Sequence, residues 1–517
     1  MEQLAIYGPT GSFFAPIFVV SLITFVVATL LVVVEGYTDT PSIARPQKPM
    51  WIIGLAIGAV LLVFVTRYLW SGTGLQIFLS LITALAAISM ILHSILTLLS
   101  FQHFDMDKFI QKMIGFAAFF AGISLLAWLV FESLFDGDQK GILSRIFIQF
   151  IPVWIGMIVI FAVSIFTKHK TGLYGRLFDS TVGMIGFGLV LFWVLTAIFA
   201  DQIALFTPLD QISGMKNKKP GWPVVDQEGS YYLLGGDALA RDVFSRMVYG
   251  SLTVLKIAPA ATLFAFMVGI TLGLPAGYFT GRLDTGLSFL ANLVLAFPVI
   301  LLFYLLVTPE IRSTGIPVYL AAVLFLFPII FLVVLTQTKL STQPGKMWFW
   351  LSIVLVLGFW AYSGLAFNKD PFGVFSMDPN LLNIFVSVVF VNSPTVFRIV
   401  RGLTMDIKTR DYVAAAQTRG EGPWYIMLWE ILPNARGPLI VDFCLRIGYT
   451  TILLGTLGFF GLGVSPESPD WGMTINEGRK LLSIHPHPAL PPALALMSLV
   501  LGLNLLADGL REQSLKD

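Results

Sequence analysis

The sequence has 517 residues, of which 56% are hydrophobic, 14% aromatic and only 12% charged, and its mean hydropathy is +0.83. These values exclude an ordinary soluble domain and predict an all-α protein that crosses a membrane many times. The formal net charge of +2 says little, because it averages the charges on both sides of a membrane. The single cysteine, Cys444, excludes an internal disulfide and is interpreted as a small packing residue. No positive region precedes the first apolar run, so no cleavable signal peptide is expected.

Thirteen apolar runs reach the length of about 20 residues that a helix needs to cross a bilayer. They lie near 13–34, 50–70, 75–99, 113–135, 147–167, 181–205, 251–276, 287–307, 316–335, 347–367, 381–400, 437–464 and 488–507. If the Arg-rich segment 398–436 is cytoplasmic, strict alternation places 18 of the 32 Lys and Arg residues in cytoplasmic loops and 11 in outer loops. This bias predicts thirteen spans, with the N-terminus outside and the C-terminus inside.

Residues 1–167 hold five of these runs and few chemical motifs. Gly54 and Gly58 have the spacing of a helix-packing face, although chance in a Gly-rich helix explains them equally well. His93 and Glu132 are candidate polar sites within spans, and hydrogen-bonded or interfacial side chains are the favoured interpretation. We predict no function for this extension.

The segment 234–250, LGGDALARDVFSRMVYG, predicts an amphipathic helix at the outer surface. Asp237 is suited to cap this helix, and Arg241 and Asp242 bring opposite charges to it. Together with Arg246, these residues form a candidate outer lid. A ligand site is the alternative interpretation.

Two features within spans are candidates for a role in transport. Pro298 leaves a backbone carbonyl without its helical partner and can kink the span at 287–307, which suits a gate or a cavity wall. Asp442 and Arg446 are four residues apart and therefore lie on one helix face. A structural ion pair is the favoured interpretation of these two residues, and a substrate or gating contact is the alternative.

The segment between the eleventh and twelfth predicted spans, residues 402–436, is here called the elbow. Its residues 410–434, RDYVAAAQTRGEGPWYIMLWEILPN, predict a short helix, Tyr412–Thr418, with Asp411 as N-cap. A glycine break at Gly420 and Gly422 follows, and then a second amphipathic helix that Leu432 and Pro433 terminate. The proposed docking residues of the elbow are Asp411, Tyr412, Ala414, Ala415, Ala416, Arg419, Gly420, Leu432, Pro433 and Asn434.

The three consecutive alanines of the elbow leave one side of the first helix without bulk, so that another surface can approach its backbone. A helix–glycine–helix elbow between two spans suits insertion into a groove on a partner. A solvated, positively charged cytoplasmic loop explains the spacing equally well.

Residues 458–473, after the next span, predict a chain reversal at the outer mouth. Gly461 and Gly463 permit close packing, and the prolines, among them Pro469, exclude a regular helix. Trp471, which precedes Gly472, suits the membrane interface.

These motifs together resemble one known family. The elbow, with Ala415-Ala416, Gly420 and Ile431-Leu432-Pro433-Asn434, is similar to the EAA loop of permease subunits in ABC importers. Within that class the chain resembles the second permease subunit of the oligopeptide, dipeptide and nickel group. The segments 234–250, 295–298, 458–473 and 504–511 resemble further motifs of this group. Two departures are Ala414, where the family usually has Glu, and Glu430, where it commonly has His.

The resemblance implies a type I ABC importer fold over residues 168–517, with core spans in 181–307 and 381–507 and a two-span insertion at 309–380. It implies that the elbow docks on an ATPase, and that the partners are two ATP-binding subunits, a second homologous permease and an external binding protein. Peptides are the implied cargo, with nickel, glycosides and peptide-like antibiotics as alternatives. Membrane lipid is an expected partner, and nucleic acid is not.

The sequence has no phosphate-binding loop of its own. The nearest imitation, 343–347, lacks the leading glycine and the Ser or Thr. His485 and His487 stand without a cluster of Cys or carboxylates at ligand spacing, so no metal site is predicted. We therefore predict that the chain is not an enzyme and binds no cofactor, and that ATP and Mg²⁺ are used by a partner. The alternative function is a secondary transporter or channel driven by an ion gradient, which favours mid-span charges and internal repeats.

Overall fold

A computed structural model describes residues 3–6, 129–130, 133, 140–170, 172–224, 227, 229–462 and 468–514 of this protein. The chain divides into two compact units, 1–149 with 221–223 and 150–220 with 224–517. Several sequence predictions lie outside the described residues: the spans at 13–34, 50–70 and 75–99, nearly all of 113–135, and Gly54, Gly58, His93, Glu132 and Gly463.

The first unit contains helix α1 (Ile142–Gln149) and the two-residue strand β1 (Trp222–Pro223). The Leu4 N–H donates to the Gly221 carbonyl (2.9 Å), and the Ile142 N–H donates to the Ala5 carbonyl (3.0 Å). These backbone hydrogen bonds hold its described segments together.

The second unit is almost entirely helical. Before the longest helix it contains α2 (Ile151–Thr167), the 3₁₀-helix Lys168–Lys170, α3 (Leu173–Leu177), α4 (Thr181–Ile198), α5 (Ala200–Ile203) and the strand β2 (Tyr231–Tyr232). It continues with α6 (Val243–Phe279), α7 (Arg282–Leu295), α8 (Val299–Val307), α9 (Pro309–Ser313), α10 (Ile316–Leu324), α11 (Leu326–Leu340) and α12 (Pro344–Phe367). The remaining elements are α13 (Pro379–Ile407), α14 (Asp411–Thr418), α15 (Pro423–Tyr425), the π-helix Ile426–Ile431, α16 (Leu432–Asn434), α17 (Arg436–Phe459), α18 (Trp471–Arg479) and α19 (Leu490–Ser514).

Eight helices in the described part of the chain are long and apolar enough to cross a membrane. They are Ile151–Lys170, Thr181–Ile198, Val243–Phe279, Ile316–Leu340, Pro344–Phe367, Pro379–Ile407, Arg436–Phe459 and Leu490–Gln513. The pair α7 and α8 passes the same test together, with a bend of 81° between them. Each coincides with an apolar run of the sequence, which confirms the multi-spanning helical fold. The total of thirteen spans and their orientation stay predictions.

Helices α6 and α13 form the centre of the second unit, and α13 is the most buried of the candidate spans. Small residues every four positions along α6 allow the two backbones to approach closely. A Cβ at Gly273 would lie 2.8 Å from Val400 Cβ, and one at Gly277 would lie 2.7 Å from the Arg401 carbonyl oxygen. The two helices are therefore in direct backbone contact along this face.

The segment predicted as an insertion forms the short helix α9 and a helical hairpin of α10–α11 and α12. A turn at Phe325 separates α10 from α11, and the Tyr362 hydroxyl of α12 donates to the Ala322 carbonyl (3.0 Å). Residues 341–343 connect the two arms at the same end of the unit as the elbow, because α11 contacts the elbow there.

Candidate functional site

The first elbow helix, α14, begins one residue earlier than the sequence predicts. Arg410, with extended backbone, is the N-cap and makes no side-chain capping bond, and Asp411 is the first helical residue. The prediction of Asp411 as N-cap is therefore wrong. A carboxylate in the first turn still stabilises the helix through its interaction with the helix dipole.

The three alanines of α14 do not share one face. Ala414 and Ala415 are exposed, whereas Ala416 is buried together with Val413 against the rest of the unit. Tyr412 is 39% exposed beside the two outer alanines. The exposed surface of α14 is thus narrower than predicted. Ala416 lies on the buried face, by which α14 packs against the rest of the unit.

Gly420 ends α14 with φ +82°, a left-handed conformation that favours glycine. Arg419, the residue before it, donates from Nη2 to Glu430 Oε1 at 2.9 Å. The helix break predicted at this glycine is present. The ion pair of Arg419 and Glu430 spans the break and joins the first half of the elbow to the second. Both side chains are partly exposed, so we expect the pair to fix geometry more than stability.

The second half of the elbow is helical from Pro423 to Asn434 but has an extra residue in one turn. The Leu432 N–H bonds to the Met427 carbonyl, five residues back, in the π-helix Ile426–Ile431. Pro433 lacks the N–H that would bond the carbonyl four residues earlier, and the wider turn lies directly before it. The prediction that Leu432 and Pro433 terminate this helix is wrong. Asn434 continues it, and its Nδ2 donates to the Glu430 carbonyl (2.6 Å).

Three polar contacts attach the elbow and its approach to the bundle, and the sequence analysis missed all of them. Lys408 Nζ donates to the Gly277 carbonyl (2.8 Å) at the end of α6. Gln417 Nε2 donates to the Tyr278 hydroxyl (3.3 Å). Arg401 pairs with Asp284 through both its Nε and its Nη2, the latter at 2.7 Å. The sequence shows that charged residues lie at the ends of apolar runs. It does not show which residues, more than 100 positions away, these side chains contact.

At the opposite end of the unit, the segment 234–242 is not a surface helix. Asp237 Oδ1 accepts hydrogen bonds from the backbone N–H groups of Leu239 (2.8 Å) and Arg241 (2.9 Å), which stabilises a turn. The helix begins only at Val243, and its N-cap is Asp242, whose Oδ2 accepts from the Ser245 N–H at 2.9 Å. The prediction that Asp237 caps the helix is wrong.

The charged residues of the predicted lid form a buried network. Arg241 Nε donates to Asp237 Oδ2 (2.7 Å), and its Nη2 contacts Glu477 of α18. Arg246, which is fully buried, reaches Glu477 (3.5 Å) and Thr474 Oγ1 (3.3 Å). The network therefore joins the start of α6 to α18. The sequence analysis missed Glu477, because only the folded chain brings it beside residues more than 200 positions earlier.

Trp471, predicted to suit the membrane interface, has its side chain enclosed within the protein. It is fully buried, packs against Trp193 with ring centroids 5.0 Å apart, and donates from Nε1 to the Met247 carbonyl at 2.8 Å. A Cβ at Gly250 would overlap its indole ring and approach the Pro469 carbonyl oxygen to 2.8 Å. The contacts of Trp471 and Pro469 with α6 therefore fix the position of α18 against this helix.

Two glycines lie on either side of residues 463–467, which precede α18. Gly461 adopts φ +81° directly after α17, and a Cβ at Gly472 would overlap the carbonyl of Gly455. The close packing predicted at Gly461 is not observed, because among the described residues a Cβ there would have only Asn476 Nδ2 within 4 Å, at 3.8 Å; the close contact lies at Gly472 instead.

Burial changes the acidity of the two capping carboxylates near this end. It raises the pKa of Asp242 to about 6, against hydrogen bonds from Ser245 that lower it. It also raises the pKa of Asp470, the N-cap of α18, to about 6. Desolvation dominates because it disfavours the charged form.

The remaining candidates within spans are present in the expected geometry, but their roles stay predictions. Arg446 Nε lies 3.2 Å from Asp442 Oδ2 on α17, and both side chains are mostly buried. Pro298 stands at the 81° bend between α7 and α8, a geometry that fits either a broken span or a re-entrant loop.

The rings of His485 and His487 are arranged edge to face, with centroids 5.7 Å apart. His487 Nε2 lies 3.2 Å from the Gly236 carbonyl oxygen, and burial lowers the pKa of this imidazole. Across the residues that the structure describes, no group of three or more His, Cys, Asp or Glu side chains has a geometry that could hold a metal ion.

Comparison with known proteins identifies the family. Residues 347–514 match the model of the binding-protein-dependent transport system inner membrane component. The chain is also 31% identical over 283 residues to the glutathione transport system permease protein GsiD of Pectobacterium atrosepticum, an alignment that covers 55% of this chain and 72% of the relative. This chain belongs to the family of ABC importer permeases.

Two further relatives of this permease have names that refer to peptides. The dipeptide transport system permease protein DppC of Haemophilus influenzae is 28% identical over 329 residues, covering 64% of this chain and 88% of the relative. The di/tripeptide transport system permease protein DppC of Pseudomonas aeruginosa is 26% identical over 347 residues, with 67% and 88% covered.

These relatives confirm the resemblance found in the sequence. The permease is an integral multi-pass protein of the bacterial inner membrane with the type I ABC importer fold. Like its relatives it is a transport subunit and not an enzyme, and it works with other ABC components. The alternative of a transporter driven by an ion gradient is not favoured.

Proposed function

We propose that the permease forms half of the pathway of an ATP-driven peptide importer. Its other half is a second, homologous permease, an external binding protein delivers the peptide, and two separate ATPase subunits bind ATP and Mg²⁺. Support for the cargo comes from the names of the relatives, which refer to glutathione, dipeptides and tripeptides. All are short peptides, so short peptides are the class of solute that we propose for this chain.

The observation that carries the proposed coupling role is the free face of α14. Ala414 and Ala415 are exposed on a helix whose other face, with Val413 and Ala416, is buried. A small-residue surface on a firmly attached helix suits insertion into a groove of an ATPase. Exposure of these alanines in the cytoplasm would have no packing benefit for the permease alone.

The contacts that attach α14 to the helix bundle can transmit its displacement to the central helices. Lys408 joins the entrance of the elbow to the end of α6 at Gly277, and α6 packs directly on α13. A displacement of α14 by closing ATPases therefore moves the two central helices together. We propose that this movement opens and closes the pathway on alternate sides of the membrane.

The bent pair α7 and α8 is the proposed moving wall of the pathway. Pro298 interrupts the span, and large apolar side chains on both helices are exposed, including Phe289 (66%) and Leu301 (64%). Such a surface is suited to contact with a second permease. The ion pair of Asp442 and Arg446 is a candidate polar contact of the pathway, because mostly buried charges in a span are costly without a function.

Reconstitution tests this function. The permease is purified with its companion subunits and binding protein, placed in liposomes, and ATP-dependent uptake of labelled dipeptide, tripeptide, glutathione and Ni²⁺ is compared. We expect uptake of peptides, and Ala415→Arg should abolish both uptake and co-purification of the ATPase. Gln343→Arg, which places the same charge on the exposed hairpin at the same end, is the control and should retain both. Uptake that continues without ATP would contradict the proposal.

A further inference from the structure

The inserted hairpin contacts the elbow at one specific side chain, Trp429. The Trp429 indole N–H donates to Thr338 Oγ1 of α11 at 3.1 Å. Lys339 Nζ lies 5.7 Å from the centroid of the same ring, within the range of a cation–π interaction. Two consecutive residues of α11 therefore hold one aromatic ring by its edge and its face.

The Thr338 hydroxyl is well placed to accept this bond. It donates its own proton to the Val334 carbonyl (2.8 Å) within α11, which leaves an oxygen lone pair for the indole. Phe331, Val334 and Leu335 of the same helix pack against the buried cluster that contains Ile426 of the elbow. The contact is thus a polar point of attachment at the edge of an apolar interface.

Trp429 lies on the π-helix Ile426–Ile431, the one turn of the elbow with an extra residue. A change between π and α geometry in this turn would rotate the following segment relative to the preceding one by about 100°, the angle of one helical residue. The position of Trp429 therefore fixes the register in which the elbow leads into α17.

Next to this contact the hairpin stands away from the elbow. A cleft of about 340 Å³ lies there, and it is lined on the hairpin side by Gln337, Thr338 and Ser341 and on the elbow side by Glu421, Trp424 and Tyr425. The hairpin therefore contacts the elbow at Trp429 and leaves room beside residues 421–425, where the second half of the elbow begins. In this arrangement Trp429 is the fixed point of the elbow, and the residues beside the cleft have room to move relative to the hairpin.

We propose that Thr338 and Lys339 are positioning residues that hold the π-turn of the elbow through Trp429, so that movement of α14 is passed to the spans and not absorbed within the elbow. This gives the inserted hairpin a role in coupling. The inference rests on the proposed docking of the elbow on an ATPase. It adds to that function a specific residue contact on which efficient coupling depends.

The test measures ATP hydrolysed per peptide imported in the complete reconstituted complex. Thr338→Val keeps the volume of the side chain but removes the acceptor, and Trp429→Phe keeps an aromatic ring but removes the donor. We expect each to raise the ratio about fivefold, as for the loss of one hydrogen bond in an equilibrium between two positions. The double variant should be no worse than either single variant, because both remove the same bond. Thr338→Ser, which keeps the hydroxyl, should restore the ratio.

The matched control is Thr336→Val on the same helix. Among the described residues, the Thr336 hydroxyl bonds within α11 alone, to the Leu332 carbonyl at 2.7 Å, so its loss should leave the ratio unchanged. An unchanged ratio in Thr338→Val and Trp429→Phe, with ATPase bound and peptide imported, would overturn the inference and leave the proposed function intact. An equal rise in Thr336→Val, or loss of ATPase binding in Thr338→Val, would also overturn it. Failure of the unmodified permease to bind any ATPase would instead refute the proposed function.

Discussion

Arg401 and Asp284 form a two-point ion pair that joins the cytoplasmic end predicted for α13 to the first turn of α7. The Arg401 guanidinium donates from Nη2 to Asp284 Oδ2 at 2.7 Å, and its Nε contacts the other carboxylate oxygen. Bidentate pairing of this kind fixes the relative orientation of two helices as well as their distance. One of these helices leads into the elbow and the other into the bend at Pro298. The pair therefore connects the proposed coupling surface to the proposed moving wall.

Loss of this pair should uncouple the two helices with little effect on stability. Asp284→Asn and Arg401→Gln should each reduce peptide uptake severalfold while the midpoint of thermal unfolding in detergent changes little, because partly exposed pairs contribute only about 1 kcal/mol or less. The exchange of both residues, Asp284→Arg with Arg401→Asp, should recover part of the uptake. Single variants that transport normally would show that the pair is only a surface contact.

The buried network at the opposite end should behave differently. Arg241→Ala leaves the carboxylate of Asp237 buried without its main partner, which costs about 3–5 kcal/mol in comparable buried pairs. Thermal unfolding in detergent should therefore show a large loss of stability. The control is Arg410→Ala, which removes an exposed pair with Asp406 and should change stability by less than about 1 kcal/mol. Equal effects of the two variants would contradict the account of the network.

Packing of α18 onto α6 should depend on the absence of a side chain at Gly250. Gly250→Ala forces a methyl group into the indole ring of Trp471, and overpacking of this kind costs about 1–3 kcal/mol. The control is Gly286→Ala in α7, where a Cβ would have nothing within 4 Å. The midpoint of thermal unfolding should fall for the first variant and stay equal or rise for the second. A stable Gly250→Ala variant would mean that Trp471 moves freely.

Stability should also depend on pH through Asp242. Its folded pKa of about 6 is above the ordinary value of 3.8, so between these values the folded state binds more protons than the unfolded state. The contribution of this group is fully present below about pH 4 and is lost as the pH rises through 6, by up to about 3 kcal/mol for a shift of this size. Asp242→Asn should therefore gain stability relative to the unmodified permease between pH 4 and pH 7. A constant difference across this range would contradict the prediction.

The sequence was sufficient to predict the spans from residue 147 onward and the elbow between them. Apolar runs of sufficient length have few alternatives to a membrane helix, and the glycine at 420 ends α14 by its own conformational preference. These are local properties, in which the residues concerned determine the result without distant partners.

Predictions that depended on distant contacts failed. Asp237 has the side chain of a helix cap, but it pairs with Arg241, which also contacts Glu477 of α18, 236 positions later, and α6 begins only after Asp242. Tryptophan is typical of membrane interfaces, but Trp193 and α6 bury the Trp471 side chain completely. The π-turn before Pro433 was missed because a proline indicates a break and does not indicate how the chain accommodates it.

The most direct test of the coupling role uses the single cysteine of the sequence. In a Cys444→Ser background, Ala415→Cys places one thiol on the free face of α14, and Ser376→Cys places one in the exposed loop at the other end of the hairpin of α10–α11 and α12. After treatment of the complete complex with a short thiol crosslinker, we predict an ATPase crosslink from position 415 and none from position 376. A thiol at 415 that labels with a membrane-impermeant reagent from outside intact cells, or a crosslink from 376 alone, would contradict the account.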